Sequence, residues 1–204
     1  MLHLRRAVIM LALFTLLTGI IYPLALTAIG QVALSTQANG SLIRKDGAVI
    51  GSMLIGQSFT SERYFHARPS ATSAPDPNDD TKSVDAPYNA SRSSGSNLGP
   101  VSKKLIERVT ADTRELHKTT GSNAPVAADS VTTSASGIDP HISPAFAAMQ
   151  LSRVAKARGL PEDRVRQILQ SATDQPLFGI FGEPRVNVLN LNMALDAEPA
   201  AKTG

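Results

Sequence analysis

The sequence predicts an α+β chain in two parts: a single N-terminal transmembrane helix, followed by one exterior mixed α/β domain with long loops. Three observations carry that reading. Residues 7–34, "AVIMLALFTLLTGIIYPLALTAIGQVAL", contain no charged residue, and about 20 apolar residues suffice to cross a bilayer. Beyond them, strand-like and helix-like apolar patterns occur in one chain. Between these patterns lie stretches dominated by Ser, Pro, Asp, Asn and Gly, which cannot bury enough apolar surface to offset their ordering entropy. The 204 residues suffice for one modest domain and its anchor.

The apolar run is too long for a secretory signal and lacks a small-residue cleavage site after it, so it reads as an uncleaved anchor. Pro23 lies inside it, where a membrane helix tolerates a kink. Arg5 and Arg6 precede it, whereas the first charges after it are Arg44 and Lys45. The positive-inside bias therefore predicts residues 1–6 in the cytoplasm, residues 7–34 in the membrane and the domain from residue 35 outside. Leu42–Ile43 and Ala48–Ile55 flank "RKDG", and Asp46-Gly47 tolerates the positive φ of a tight hairpin turn, which predicts two short strands. "TSERYFHARPSA" reads as a short helical turn ending in a loop, with Pro69 holding Arg68 extended. Residues 72–99 read as one long loop.

A helix is expected from about Pro100 to Thr119, with Pro100 in its first turn and Val101, Leu105, Val109 and Leu116 near one face. The polar connector 119–137 leads to "SGIDPHISP". Two consecutive helices follow, "SPAFAAMQLSRVAKARGL" with Ser143 as N-cap, Pro144 near its first position and Gly159 at its C-cap, and "PEDRVRQILQSAT" with Pro161 at its first position. Residues 186–195 fit a strand or a helix, because Val186, Val188 and Asn190 alternate while Leu189 and Leu191 break the polar face. Residues 197–204 read as a disordered tail.

Several function classes are excluded or weakened by composition. There is no Cys, which removes thiolate and disulfide chemistry, and 20 Lys+Arg against 17 Asp+Glu are mixed along the chain without the basic stripe that nucleic acid requires. Asp139 and His141 stand two apart in "DPHISP", but a mononuclear metal site needs three or four ligands, so no metal is expected there. They read instead as loop-bonding groups between Pro140 and Pro144, which fix φ. "DPNDD" matches the first three ligand positions of a calcium loop but has Thr81 and Pro87 where Gly and Glu are needed. No G-x-S-x-G elbow accompanies the many serines, so no catalytic residue is assigned. "GSNLGP" is no Walker A loop, because Gly99 precedes Pro100 and not Lys. A membrane-anchored ligand- or glycan-binding module is the alternative reading, but only 4% of residues are aromatic and Trp is absent, which leaves few stacking platforms.

"GSMLIGQSF", "YFHARPSAT", "YNASRSSGSNLGP", "VTTSASGIDPHISPAFAAMQLSRVAKARGL" and "RVNVLNLNMALD" follow in that order behind the apolar run. Together they resemble the C subunit of the Kdp-type potassium-transporting ATPase, the KdpC family. The resemblance implies a noncatalytic subunit of a bacterial inner-membrane complex, with residues 35–196 periplasmic. Its implied partners are a potassium-binding channel-like subunit, a P-type ATPase subunit and membrane lipid. It also implies a catalytic chaperone that raises the ATP affinity of the pump, with no tightly bound cofactor and ATP contact only through the complex. Scaffold or contact roles fall on Arg68 and Pro69, on Gly95, Asn97, Gly99 and Pro100, and on Asp139, Pro140, His141 and Pro144. Nucleotide contact would fall on Gln150, which otherwise reads as a solvated helix residue.

Overall fold

The computed structural model describes residues 2–198, the side chain of Asp80 excepted, and divides after Ser52 into two compact units. In the first unit the chain is helical from Leu2 to Ala33, long and apolar enough to cross a membrane, with no side chain buried within the chain. Arg5 and Arg6 therefore lie within the opening turns of the helix and not ahead of it. The run consists of α1 (Leu2–Leu16), a π-helical turn (Leu17–Ile21) and α2 (Tyr22–Ala33). Pro23 has no N–H to offer the Gly19 carbonyl, and the ladder widens where that bond is missing: the Tyr22 N–H reaches back to the Leu17 carbonyl. The Thr18 and Thr27 hydroxyls donate to the carbonyls of Phe14 and Pro23, so neither hydroxyl is left bare on an apolar surface. After the short α3 (Ser35–Ala38), β1 (Leu42–Lys45) and β2 (Ala48–Ser52) form the expected hairpin, with Asp46 and Gly47 at φ 51° and 80°.

The second unit contains, in order, β3 (Ser73–Asp76), β4 (Asp79–Asp85), α4 (Lys103–Thr120), α5 (Ala128–Val131), β5 (His141–Ile142), α6 (Pro144–Arg158), α7 (Glu162–Ser171), β6 (Thr173–Asp174), β7 (Arg185–Asn187) and α8 (Val188–Asp196). β7 is the central strand of an antiparallel sheet, pairing with β5 through Ile142–Val186 and with β6 through Thr173–Val186. Against it α6, α7 and α8 pack a core built from Phe146, Leu151, Val154, Val165, Leu191 and Leu195, together with Phe65 from an irregular segment. The helix signals work as chemistry predicts. Ser143 Oγ accepts from the Phe146 N–H at 3.0 Å, and Gly159 caps α6 at φ 66°.

Several boundaries differ from expectation. Residues 72–99 are not one loop, because β3 and β4 pair as a second hairpin whose turn is built by Asp76 Oδ1 accepting from the Asn78 N–H. Its strands are polar and mostly solvated, so they hold by backbone bonds and show no apolar alternation. α4 starts at Lys103, after a turn in which the Ser102 N–H donates to the Gly99 carbonyl, and leaves Pro100 outside. Pro161 is the N-cap of α7 and not its first helical residue. The connector 119–137 holds α5. Residues 186–195 are both candidates in succession: Val186 fills the sheet, and Asn187 Oδ1 then accepts from the Asn190 N–H to start α8. Of the expected tail, Glu198 pairs with Arg164, and residues 199–204 lie outside the described residues.

Candidate functional site

Residues 62–66 have no ladder partners, yet each of their carbonyls accepts a hydrogen bond from a side chain. Arg153 donates to the Glu62 and Tyr64 carbonyls, Arg158 to that of Arg63, Asn192 to that of Phe65 and Gln150 to that of His66. The Phe65 and His66 N–H groups return bonds to Asn192 Oδ1 at 2.8 Å and Gln150 Oε1 at 2.7 Å. Two carboxamides thus act as strand edges, holding an irregular segment whose centre, Phe65, is buried, while Tyr64 and His66 are partly buried and Glu62 and Arg63 stay exposed. Tyr64 completes the clamp, its hydroxyl donating to Asp196 and its ring lying 5.0 Å from the Arg158 guanidinium carbon. Gln150 is therefore not the solvated helix residue that its surroundings suggested, since it is buried and both ends of its amide are engaged by His66, with Arg153 also donating to its oxygen.

The clamped segment runs directly into Arg68, whose guanidinium reaches Asp139 at 3.1 Å and the Thr132 and Thr133 carbonyls. Asp139 Oδ1 accepts from the His141 N–H and faces the His141 ring at 3.3 Å. Burial alone would raise the Asp139 carboxyl, but the His141 bonds and the Arg68 charge hold it below its ordinary range. This contribution to stability is present at neutral pH and is lost only in acid, as pH falls through the depressed value. The loop is also pinned along its length. Its Ser136 carbonyl accepts from the Ser94 N–H, that of Gly137 from Ser70 Oγ, that of Ile138 from the Gly56 N–H and that of Pro140 from the Val188 N–H. Asp129 secures the helix start, taking the Ser143 N–H at 2.6 Å and its hydroxyl at 2.8 Å.

The structure separates the residues grouped by sequence. Arg68 meets Asp139, which bonds His141 across Pro140, while Pro69 follows Arg68 in the chain and Pro144 opens α6. Gly95 stacks on Ala135, where a Cβ would come within 2.8 Å of the Ala135 carbonyl. Asn97, Gly99 and Pro100 are exposed and lie on the approach to α4. Asn192, Asp129, Arg153 and Arg158 were missed. A sequence signal existed for Asn192, one of two amides in a largely apolar helix and the one that falls between Leu191 and Leu195.

Beside the clamp an open groove of about 960 Å³ runs between α4 and α6, with Glu62, Asp112 and Glu115 opposing Arg153 and Lys156. Burial, and then the Arg153 charge, lowers the His66 imidazole below its ordinary value of 6.5, outweighing the Ser61 carbonyl and Glu62. The unfolded chain binds a proton as pH falls through 6.5 while the folded chain resists it, so stability is lost on acidification below that point. The melting temperature is expected to drop between about pH 7.5 and 5.5 and the drop to shrink in His66→Gln, the carboxylates contributing only at lower pH. An unchanged slope in that variant would show that His66 stays hydrated.

A family model described as "KdpC: K+-transporting ATPase, c chain" matches residues 4–197. The chain is 56% identical over 198 residues to the potassium-transporting ATPase KdpC subunit of Bradyrhizobium diazoefficiens, covering 97% of this chain and 98% of that protein. It is 58% identical over 195 residues to the KdpC subunit of Rhodopseudomonas palustris strain BisB18, covering 96% and 98%. The KdpC subunit of Methylobacterium nodulans is 53% identical over 194 residues, covering 95% and 96%.

Proposed function

Since this chain belongs to the KdpC family, the c chain of K+-transporting ATPases, we propose that it is the noncatalytic accessory subunit that stabilises the assembled pump and raises its affinity for ATP. The observation that carries this reading is the near full-length match, supported by the character of the site: its polar groups bond one another and hold a shape. Asp139 and His141 engage Arg68 and the loop backbone, and Gln150 engages His66, so each reads as a scaffold group. Such a surface acts by binding energy. The N-terminal helix packs beside membrane helices of the potassium-binding and P-type ATPase subunits, while residues 35–196 face the periplasm of the inner membrane and the Arg68–Pro100 region covers the outer surface of a partner.

ATP is cytoplasmic, and a hydrocarbon layer of about 30 Å would separate it from a periplasmic domain. The effect on ATP affinity is then allosteric: the subunit binds one conformation of the complex better than another and shifts its population. No cofactor of its own is required. A tag on this chain is expected to recover both partner subunits in equal amounts from detergent, and a reporter fused after Ala197 to be active only as a periplasmic enzyme. Omitting the chain should weaken ATP binding by the pump. Cytoplasmic reporter activity, or ATP binding by the isolated chain in the physiological range, would overturn the allosteric account, and recovery of the chain as a lone monomer would remove the subunit reading.

A further inference from the structure

Between β6 and β7 the chain projects a compact loop, residues 176–182, "PLFGIFG". Leu177, Phe178, Ile180 and Phe181 are 63%, 81%, 76% and 67% exposed, although they are four large apolar side chains within five residues. Soluble surfaces rarely present such a cluster without a use for it. The loop is shaped, not slack. Leu177 and Phe181 exchange both backbone bonds at 3.0 Å, the Gly179 N–H donates to the Pro176 carbonyl and the Ile180 N–H to the Leu177 carbonyl. Phe178, at φ 55°, and Gly179, at φ 72°, turn the tip.

We propose that this tip inserts into the bilayer surface. Two observations select lipid over a protein partner. The loop satisfies four of its N–H groups internally, and Pro176 has none to satisfy. That bonding lowers the cost of carrying the apolar side chains into a lipid interface, where the Phe178 N–H and the 178–180 carbonyls, which have no bond inside the loop, still meet water and headgroups. The loop also belongs to a unit that begins at Met53, while the apolar helix ends at Ala33. The intervening residues 34–52 span at most about 65 Å even if fully extended, and α3 and the hairpin shorten that reach. A bilayer crossed by the helix would therefore always lie within reach of this unit. No charge falls between Asp174 and Glu183, so the apolar tip can enter the interface while Asp174, Glu183 and Arg185 remain in the headgroup layer. The inference rests on membrane anchoring and not on assembly with pump subunits.

The chain contains no Trp, so single-tryptophan variants report one site each. Full-length Phe178→Trp, Val101→Trp and Phe14→Trp chains are reconstituted in phosphatidylcholine–phosphatidylglycerol vesicles whose acyl chains are brominated close to the headgroup. Val101 is 89% exposed and distant in sequence, and Phe14 lies in the apolar helix. Phe178→Trp is expected to emit at shorter wavelength and to lose about half its intensity to the brominated lipid, with Phe14→Trp also quenched and Val101→Trp unaffected. Phe181→Ser added to Phe178→Trp should reduce the quenching. Water-like, unquenched emission from Phe178→Trp beside a quenched Phe14→Trp overturns the proposal. So does a blue shift that appears only in the assembled complex and without quenching, which would mean that the loop faces protein. An unquenched Phe14→Trp would refute the anchoring itself, and the loop proposal with it.

Discussion

Replacing Asn192 by Leu is expected to destabilise the second unit by about 4 kcal/mol, because two buried backbone groups lose their partners at once and each orphan costs roughly 1–3 kcal/mol. Asn192 is 1% exposed, and its amide takes the Phe65 N–H at 2.8 Å and gives to the Phe65 carbonyl at 3.0 Å. Leu keeps the branched outline of Asn and is somewhat larger, so the change opens no cavity and the cost reports the lost bonds together with any crowding by the methyl groups. Gln150→Leu should cost less, about 2 kcal/mol, because its partner His66 is only partly buried and water can replace some of what is lost. Denaturant titration of the full chain in detergent, followed by near-ultraviolet dichroism, measures both. A cost below about 1 kcal/mol for Asn192→Leu would mean that the 62–66 segment is held by its arginine contacts and by Phe65 packing alone.

Gly137→Ala is expected to cost about 3 kcal/mol or more and to release the loop ahead of α6. Gly137 sits at φ 69°, and an added Cβ would run into the Ser94 carbonyl oxygen and come within 2.7 Å of Thr72 Cγ2. Neither can withdraw easily: Ser94 is tied by its N–H to the Ser136 carbonyl, and Thr72 is buried with its hydroxyl donating to Ala86. Gly99→Ala provides the contrast, since nothing lies within 4 Å of its Cβ position and the change should leave stability within about 0.5 kcal/mol. If Gly99→Ala weakens recovery of the pump subunits while melting normally, the 97–100 segment is a contact surface. Comparable melting of the two variants would mean that the 136–144 loop adapts around an added methyl group.

Local chemistry was legible wherever one residue type has one strong backbone consequence. The unbroken apolar run, the Asp46-Gly47 turn, the Ser143 cap with Pro144, and the Gly159 terminator all depend on neighbours a few residues away, and all appear at the expected places. The pairing of Asp139 with the loop backbone was legible for the same reason. Short polar strands were not. β3 and β4 carry little apolar alternation, and β5 and β6 are two residues each, so a window of sequence holds no period to detect. The choice between strand and helix at 186–195 depended on Val186 finding the sheet, which is a contact between distant residues.

By itself, therefore, the sequence determined the long apolar N-terminal helix, the order of the main helices and the family, because each is written in residue types or in motifs read along the chain. Only the tertiary structure decided how the motifs work together. Arg68 meets Asp139 across 71 residues, Gln150 meets His66 across 84 and Asn192 meets Phe65 across 127. The physical reason is that an irregular segment with a buried centre must borrow its hydrogen-bond partners from wherever the fold brings a donor or acceptor. Nothing in the local sequence around residues 62–66 records which distant amide or guanidinium that will be.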